Sequence, residues 1–501
     1  MKKTSFKFSC LLSMTLLAAV LTASCLFAAC SGNASGGGAN TDAETQSGEI
    51  GGAADDSASK DSASKDARLN VPRDKNYGGY VFAMNGYDHT SYIGEHKADE
   101  LTGDLLNDAI YERNREAEEL FGVKINVVIG VWGNDECRRL ITTSVMAGDN
   151  SFDLFTGNTY NMTFLSAQGM FKRITDVPYI DHDAPWWNQS IYKEYSVGKN
   201  AYLMTGDIAL SYFGQLEAVF FNKKLIKDYK FDDPYKLVYD DKWTCDKLIA
   251  MTKDFYVDLN GNGAADEEGD IYGFYGSKSS VYGIANHWTP VTTKNKDNYP
   301  EITFYSERTA EMFVKLKDYF INSPGALCPE GWTDYELWIT GVSVFSINTM
   351  VRVTYFNLRS SEIDYGFVPI PKYDENQKDY RTYAAGLVVA APVTAEDFAR
   401  TGMVTETLAY YGRQIAYPAF IDNAITEKGT RDEDSKKMLE LIAASPYCNF
   451  GVAFSGFQGY GYALLEFFKT DKGFSSYYES MTNAAAAELI NYADMILALE
   501  Q

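Results

Sequence analysis

The stretch from Gly198 to Lys224, GKNAYLMTGDIALSYFGQLEAVFFNKK, constrains the fold of this chain more than any other. A short apolar run, 202–204, is interrupted at Thr205, Gly206 and Asp207, and a second apolar run, 218–221, ends in Asn-Lys-Lys. Glycine breaks strands and permits backbone angles that other residues resist. The pattern predicts two strands joined by a polar crossing, with the rest of the chain on either side of it.

This stretch resembles the inter-lobe crossing of the extracellular solute-binding proteins that serve ABC transporters, the maltose-binding-like carbohydrate family, whose pattern runs GK-x-Y … FNK before a helix. The resemblance covers nearly all of the chain beyond its first residues and includes the run DLLNDAIYERNREAEELFGVKINV. It implies an α/β, two-lobed fold of the periplasmic-binding-protein type II class, with a hinge near Thr205–Leu210 and Ala384–Leu387. Taken alone, the stretch also fits a pair of buried strands in an α/β enzyme.

The beginning of the chain predicts export. Three lysines precede an apolar run from Leu11 to Ala29, which is typical of a secretion signal rather than of a lasting membrane span. Small residues before Cys30 and Ser-Gly-Asn after it resemble a bacterial lipobox. We therefore expect residues 1–29 to be a lipoprotein signal peptide and Cys30 to carry a lipid anchor, palmitate included. Cys25 is the alternative site, and a plain secretion signal with an incidental cysteine is the simpler hypothesis.

Residues 30–70 have the composition of a flexible tether. They are Gly, Ala, Ser, Asp and Lys almost throughout, and DSASK occurs at 56–60 and again at 61–65. Such a segment has too little apolar surface to offset its ordering entropy. We expect it to hold a globular body off the extracellular face of the cell membrane.

The body that follows is long enough for a large core and divides most naturally into two lobes. We place the first part of lobe 1 at 71–204, lobe 2 at 205–383 and the return of lobe 1 at 384–445. The segment 446–501 is expected to form a C-terminal cleft loop and helices that pack on lobe 2. We expect the body to be a monomer.

Local signals predict the boundaries of two helices. One helix is expected from about Thr102, which can cap it, to Gly122, which ends it. In the segment PYKLVYDDKWTCDKL, Thr244 is placed to cap a second helix and Trp243 is expected to pack beside its start.

Charge and cysteine content exclude several classes of partner. The formal charge is −23, and removing a leader with three lysines and no acids makes it −26, so nucleic acid is not an expected partner. The cysteines beyond Cys30 are far apart and form no C-x-x-C motif, which argues against a zinc or redox pair. They are Cys137, Cys245, Cys328 and Cys448. Export allows disulfides, but four cysteines permit three pairings and the sequence does not choose among them.

Two predicted strands of lobe 1 indicate where a ligand binds. Tyr80–Met84 is a continuous apolar run, typical of a strand buried on both faces, and Asp153–Phe155 also predicts a strand. Polar and aromatic side chains follow them, namely Asn85, Tyr87, Asp88, Asn158 and Tyr160. Ligands bind at the carboxyl ends of strands in open α/β sheets, so we expect these side chains to face the cleft.

Two adjacent tryptophans, Trp186 and Trp187, form another candidate. Neighbouring residues cannot both be buried on one face of a helix or a strand. We therefore expect one of them to face solvent, a ligand or the other lobe, and we select Trp187 for the cleft. Simple core packing is the alternative for each.

The remaining candidates come from the crossing, from lobe 2 and from a glycine-rich aromatic loop, SGFQGYGY, near the end of the chain. They are Asp207, Tyr212, Tyr282, Trp288, Asn348, Arg352 and Tyr460. Arg352 follows a predicted buried strand, 341–348, and can donate two parallel hydrogen bonds to sugar hydroxyls or to a carboxylate. Pairing with a nearby acid is its alternative role.

The segment DLNGNGAADEEGD, residues 258–270, predicts a calcium loop. Oxygen-bearing side chains alternate along it and a glycine stands sixth, as in an EF-hand, because a hard cation takes about six to eight oxygens and the glycine makes the sharp turn. The twelfth position is Gly269 instead of Glu, and we favour Asp270 over Glu267 or Glu268 as its replacement. The predicted ligands of a structural Ca²⁺ are Asp258, Asn260, Asn262, Ala264, Asp266 and Asp270. A turn rich in solvated acids is the alternative.

No catalytic constellation is present in the sequence. G-x-S-x-G, H-E-x-x-H, a Walker loop and G-x-G-x-x-G in strand context are all missing, so we name no catalytic residue. The 36 tyrosines and 7 tryptophans beside Asn, Asp and Arg suit a sugar site, since aromatic faces stack on apolar sugar faces. The resemblance implies a lipid-anchored receptor that closes on a carbohydrate, an oligosaccharide, and delivers it to the permease of an ABC importer. A surface glycoside hydrolase or lyase, and a peptide receptor of the same fold, are the alternatives.

Overall fold

The computed structural model describes residues 69–87, 95–131, 134–263, 269–330, 335–352, 362–384, 386–426, 432–455 and 463–499. The strands are β1 Tyr80–Tyr87, β2 Val123–Val131, β3 Phe155–Asn158, β4 Glu217–Asn222, β5 Tyr256–Asp258, β6 Asp270–Tyr275, β7 Thr292–Lys294, β8 Pro300–Ile302, β9 Ala326–Leu327, β10 Ser343–Thr349, β11 Tyr365–Pro369, β12 Thr382–Tyr383, β13 Leu387–Ala390 and β14 Pro446–Tyr447.

The helices connect these strands and cover their faces. They are α1 Leu105–Phe121, α2 Asn134–Ala147, α3 Thr159–Ala167, α4 Gln189–Tyr195, α5 Ser211–Gly214, α6 Lys223–Asp228, α7 Pro234–Tyr239, α8 Cys245–Thr252, α9 Lys278–Val281, α10 Glu307–Lys317, α11 Tyr335–Trp338, α12 Phe398–Tyr411, α13 Tyr417–Thr426, α14 Glu433–Ala443, α15 Phe450–Ser455, α16 Ala463–Phe468 and α17 Phe474–Ala498. Short 3₁₀ segments lie at Ile174–Asp176 and Tyr282–His287, and π turns follow α10 at Asp318–Asn322 and α12 at Gly412–Ala416.

Lobe 2 is built on the largest sheet among the described strands, ordered β11-β4-β10-β6-β5, with β9 also paired to β6. Strand β4 is antiparallel to both β10 and β11, and β10 is parallel to β6. Every residue of β6 and β11 is buried, so helices cover both faces of this sheet, as expected of a mixed α/β layer.

Lobe 1 is built around β1, β2, β3 and β13. Strand β1 is parallel to β2, a parallel bridge joins Met84 to Leu154 just before β3, and β13 is antiparallel to β3. Val81 of β1 is 50 % exposed, so the prediction that this strand is buried on both faces is wrong at its amino end. The predicted strand at 202–204 forms only an isolated bridge, between Met204 and Val389.

Helix α1 illustrates how local sequence sets the boundaries of an element. The Asp104 side chain accepts hydrogen bonds from the N–H groups of Leu106 and Asn107, and Gly122 ends the helix in the left-handed conformation at φ 61°. Glycine adopts that conformation without a Cβ clash. The end at Gly122 confirms the prediction, whereas the expected cap at Thr102 is wrong, because the acid two residues later reaches the first free N–H groups.

The tryptophan before α8 packs as predicted. Trp243 has no exposed surface, and its indole N–H donates to the Pro369 carbonyl at 2.7 Å. The Thr244 hydroxyl accepts from the Lys247 N–H at 3.2 Å, which confirms its role as the N-cap. This tryptophan therefore fixes the beginning of α8 against the end of β11.

The final helix, α17, contacts lobe 1 in addition to its predicted contacts with lobe 2. The Phe474 ring packs 5.1 Å from that of Phe313 in α10. Near the other end the Tyr492 ring lies 6.3 Å from Phe164 in α3, and the Asn200 amide donates to the Ile496 carbonyl. The helix therefore spans both lobes. Within the described ranges, no helix combines the length and the apolar character needed to cross a bilayer.

Candidate functional site

The strand directions show which edges of the two lobes meet at the crossing. Strand β4 begins where the chain arrives from lobe 1, and it is antiparallel to β10, so the carboxyl end of β10 lies at that same edge. Strand β13 begins where the chain arrives from lobe 2, and it is antiparallel to β3, which places the carboxyl end of β3 there. The carboxyl ends of the strands of both lobes therefore face the crossings, where ligands bind in open α/β sheets.

We call these surfaces the lobe 1 edge and the lobe 2 edge. The lobe 1 edge comprises Asn85, Tyr87, Asn158 and Tyr160. The lobe 2 edge comprises Glu217, Gly283, His287, Asn348 and Arg352.

The two crossings predicted to act as a hinge lie side by side. The Thr205 hydroxyl donates to the Leu387 carbonyl at 2.7 Å, and the Leu387 N–H donates to the Ser211 hydroxyl at 3.3 Å. A Cβ on Gly386 would lie 2.5 Å from the Tyr212 Cα, so only glycine permits this approach. Beside them, β12 is parallel to β14. The two crossings are therefore hydrogen-bonded to each other at the predicted hinge.

At the lobe 1 edge, the predicted ligand residues are occupied by internal contacts. Asn85 has no exposed surface; its amide donates to the Thr156 carbonyl at 2.9 Å and its side-chain oxygen accepts from the Thr156 N–H at 2.7 Å. It lies within β1, not in a loop after it. Asn85 therefore has a structural role that joins β1 to β3, and its contact with a ligand stays a prediction.

Tyr87 and Asn158 at this edge also make internal hydrogen bonds. The Tyr87 ring is buried and its hydroxyl accepts from the Asn158 N–H at 3.3 Å; burial raises the pKa of this hydroxyl well above its usual value. The Asn158 side chain caps α3 by accepting from the Asn161 N–H at 3.0 Å. Tyr160 is half-buried in the first turn of α3, and Asp88 lies outside the described residues.

Both adjacent tryptophans are buried, each with 3 % exposure, so neither of them faces solvent, and the ligand role of Trp187 stays a prediction. They lie in the turn before α4, where the alternation of a helix or strand does not apply. Their indole N–H groups donate to the two carboxylate oxygens of Glu406, at 3.0 Å from Trp186 and 2.9 Å from Trp187. Burial raises the pKa of Glu406 to about 7, although the two indole donors oppose the shift.

Three predicted residues, Trp187, Asp207 and Tyr212, meet in a cavity of about 360 Å³ beside the first crossing. It is also lined by Arg413, Tyr417 and Glu440. The Asp207 carboxylate accepts from the Arg413 guanidinium at 3.1 Å. Burial raises the pKa of Asp207 to about 6, and the nearby guanidinium limits the rise. The Tyr212 hydroxyl accepts from the Asn188 amide. We name this space the hinge cavity.

At the lobe 2 edge, the predicted residues divide into edge and core. Asn348 lies at the end of β10, half-buried, and its amide donates to the Ser346 hydroxyl at 3.1 Å. Arg352, also half-buried, follows three residues after β10. Trp288 instead lies in the core with 4 % exposure, and its indole donates to the Pro371 carbonyl at 2.7 Å. Trp288 therefore packs in the core, and its ligand role stays a prediction. The side chain of Tyr282 and all of Tyr460 lie outside the described part of the chain.

Sequence reasoning missed Glu217 and His287, which the fold brings together at this edge. Glu217 is the first residue of β4, and one of its carboxylate oxygens lies 2.7 Å from the His287 Nε2. The signal in the sequence was a single acid at the end of the crossing, immediately before the apolar run AVFF. That signal did not indicate a histidine partner 70 residues away.

The predicted calcium loop joins β5 to β6, and Asp258 is paired with Asp270 across them. The Asp258 carboxylate accepts from the N–H groups of Gly261 at 2.6 Å and Gly263 at 2.9 Å, and Gly263 has φ +70°. The turn at the sixth position therefore forms as the motif predicts. Asp270 is buried and accepts from the Tyr256 hydroxyl at 2.8 Å.

Two further predicted ligands, Ala264 and Asp266, fall outside the described residues. Among the residues that are described, no group of three or more His, Cys, Asp or Glu side chains is arranged to hold a metal ion. Cys137, Cys245, Cys328 and Cys448 are all free thiols, so none of the three possible pairings forms.

Two lobes joined by hydrogen-bonded crossings, with the carboxyl ends of their strands at those crossings, define the two-lobed fold of a binding protein with a hinge between its lobes. A family model described as a bacterial extracellular solute-binding protein matches residues 114–437. The chain belongs to this family, which confirms the resemblance and the fold class. Because the family consists of binding proteins, the chain is not an enzyme, and it functions outside the cytoplasm.

Solved structures share the fold at low sequence identity. An ABC substrate-binding protein from Listeria monocytogenes in complex with cycloalternan is 13 % identical with a TM-score of 0.51, covering 84 % of this chain and 99 % of that one. A cyclo/maltodextrin-binding protein complexed with maltotetraose is 14 % identical with a TM-score of 0.52, covering 84 % and 97 %. The maltose/maltodextrin-binding domain from Bdellovibrio bacteriovorus bound to maltotriose is 14 % identical with a TM-score of 0.51, covering 83 % and 100 %. No curated protein sequence matches the chain.

Proposed function

We propose that this protein is the extracellular substrate-binding component of an ABC importer, which captures an oligosaccharide between its two lobes and delivers it to the permease. The observation that carries the proposal is the meeting of two carboxyl edges around the paired crossings, Thr205 with Leu387 and Leu387 with Ser211. Three structures that share the fold are named for complexes with cycloalternan, maltotetraose and maltotriose, and these names support the choice of a carbohydrate.

The proposal includes attachment to the membrane through a lipid on Cys30, followed by the tether at 30–70. Small residues before Cys30 and the Ser-Gly-Asn after it support lipidation. Labelling cells with a palmitate analogue tests it: the wild-type protein should incorporate label and Cys30→Ala should not. Label retained by Cys30→Ala and lost by Cys25→Ala would assign the anchor to Cys25 instead.

The binding function is tested by thermal unfolding of the purified protein against a panel of maltodextrins, other glycans and peptides. A ligand that binds only the folded state adds about 3 kcal/mol to the free energy of unfolding at a hundredfold excess over Kd, and the unfolding midpoint rises as a result. We expect a glycan to do so without any release of reducing ends. Stabilisation by peptides alone would contradict the carbohydrate proposal, and reducing-end release would contradict a pure binding function.

We also propose that the loop at 258–270 binds a structural Ca²⁺. The two backbone donors that Asp258 accepts from Gly261 and Gly263 hold its carboxylate at the start of the loop, and the acids beyond Gly263 are available in sequence to complete the oxygen set. A chelator should lower the unfolding midpoint by several degrees, and added Ca²⁺ should restore it. In an Asp258→Asn variant the chelator should have little effect. An identical midpoint with and without chelator in the wild-type protein would exclude the ion.

A further inference from the structure

We propose that Glu217 is a ligand-contacting residue and that His287 is its positioning residue, together presenting a fixed anionic acceptor to a pair of neighbouring sugar hydroxyls. This inference rests on the proposed function, because it assumes that the ligand is a carbohydrate. Four observations carry it.

The first observation is position. Glu217 begins β4 directly after the first crossing, and it is paired with Thr349 at the carboxyl end of β10. The Met350 N–H donates to the Leu216 carbonyl at 2.8 Å, which holds the end of the crossing against the end of that strand. The carboxylate therefore stands on the edge of lobe 2 that faces lobe 1.

The second observation is orientation. The Tyr383 N–H donates to the His287 Nδ1 at 2.8 Å, and the Arg381 carbonyl oxygen lies 3.2 Å from the same nitrogen. Because a backbone N–H can only donate, we assign Nδ1 as the acceptor and place the ring proton on Nε2. That proton is donated to Glu217 Oε2 at 2.7 Å. His287 has no exposed side-chain surface, and Tyr383 in β12 immediately precedes the second crossing. The carboxylate is thus held by residues of lobe 2 that adjoin both crossings.

The third observation is access. The Glu217 side chain is 23 % exposed. A Cβ on Gly283 would lie 3.7 Å from Oε1 and 3.8 Å from Oε2, so a side chain at this position would cover the carboxylate and the glycine leaves the approach open. Among the described residues, no hydrogen-bond donor contacts Oε1.

The fourth observation is chemistry. The Nε2 donor of His287 orients the carboxylate through Oε2, so Oε1 remains available to a ligand. Hydrogen bonds from neutral hydroxyls to a carboxylate are stronger than those between two neutral groups. A carboxylate has several lone pairs in one plane, which suits two adjacent hydroxyls of a sugar ring.

The central test is Glu217→Gln. The amide oxygen of glutamine accepts the hydrogen bond from the His287 Nε2–H, so the NH₂ group lies where Oε1 was. The variant therefore presents a donor in place of an acceptor. We expect the Kd for maltodextrins, measured by titration calorimetry on the whole protein, to rise ~10-fold or more, while the unfolding midpoint without ligand stays within a degree.

The matched control is Glu118→Gln in α1. Glu118 also accepts a hydrogen bond, from the Ile125 N–H at 2.8 Å, and its side chain is 18 % exposed, but it lies away from both edges. Its Kd should equal that of the wild type. Equal Kd values for wild type and Glu217→Gln would overturn this inference and leave the proposed function standing. A wild-type protein that binds none of the maltodextrins or other glycans in the panel would overturn both.

The positioning role of His287 is tested by a double-mutant cycle. His287→Leu, which removes the donor, should weaken binding in the wild-type background and have no further effect with Glu217→Gln. His287→Gln, which retains a donor, should restore much of the affinity. An equal loss from His287→Leu in both backgrounds would show that the histidine acts without Glu217.

Discussion

The two carboxyl edges differ in what their polar side chains do. At the lobe 1 edge, the Asn85 amide bonds twice to Thr156 in the neighbouring strand, and Asn158 caps the helix that follows. At the lobe 2 edge, Glu217 uses one oxygen for His287 and is still 23 % exposed. The contrast shows that a polar residue at the carboxyl end of a strand is available to a ligand only when backbone groups around it are satisfied by other partners.

The largest effect on stability is expected from a substitution at the lobe 1 edge. Asn85→Ala removes both partners of the buried Thr156 backbone and should lower the free energy of unfolding by about 3 kcal/mol, measured by urea denaturation. At ligand concentrations and temperatures where the variant is folded, its Kd should change little. A large rise in Kd with unchanged stability would show that Asn85 contacts the ligand after all.

An effect of intermediate size is expected in the pH dependence of stability, at Glu95 beside the first crossing. Glu95 is buried, accepts from the Ser211 N–H at 2.8 Å, and has its pKa raised from 4.5 to about 7 by burial. Because the pKa of Glu95 is higher in the folded state than in the unfolded state, the stability that protonated Glu95 contributes is fully present below pH 4.5. That contribution is lost as the pH rises through 7. The loss should be on the order of 3 kcal/mol.

The pH effect is isolated by comparing the wild type with Glu95→Gln, since an amide oxygen still accepts from Ser211. Burial also raises the pKa of Glu406 and of Asp207, so these two groups likewise lower the free energy of unfolding as the pH rises. Burial lowers the pKa of His96, which makes the protein less stable as the pH falls below 6.5. These groups are common to both proteins. The stability of Glu95→Gln relative to the wild type should therefore increase from pH 4.5 to pH 7.5, and a constant difference would contradict the assignment.

The smallest effect on stability is expected from a substitution at the lobe 2 edge. Asn348→Ala at the lobe 2 edge removes one half-buried bond to the Ser346 hydroxyl and should change the free energy of unfolding by less than about 0.5 kcal/mol. Its effect on the Kd for maltodextrins should exceed that of Asn85→Ala. If urea denaturation showed equal losses for the two variants, the contrast between the edges would be incorrect.

Most of the fold was predictable because it depends on local pattern. The apolar run before Asn222 predicted β4, Gly122 predicted the end of α1, and Thr244 predicted the cap of α8. Each of these signals acts within a few residues through hydrogen bonds and backbone angles. The paired crossings were likewise located by the glycine and polar residues that interrupt the apolar runs.

The candidate site was predicted only in part, because it depends on partners distant in sequence. Trp186 and Trp187 are both buried since Glu406, about 220 residues later, accepts from both indoles. Periodicity contains no information about such an acceptor. The same limit explains why Trp288 was assigned to the cleft although the Pro371 carbonyl holds it in the core.

The sequence by itself therefore determined the main strands, several helix ends and the position of the crossings, because these follow from the order of apolar runs, caps and turns along the chain. Its resemblance to the solute-binding family implied the two-lobed architecture. Only the tertiary structure decided which side chains remain available at the edges. Whether Asn85 or Glu217 faces outward depends on which buried donors and acceptors each meets, and those groups are brought together by strands that pair across more than 70 residues. Hydrogen-bond satisfaction is a property of the assembled fold.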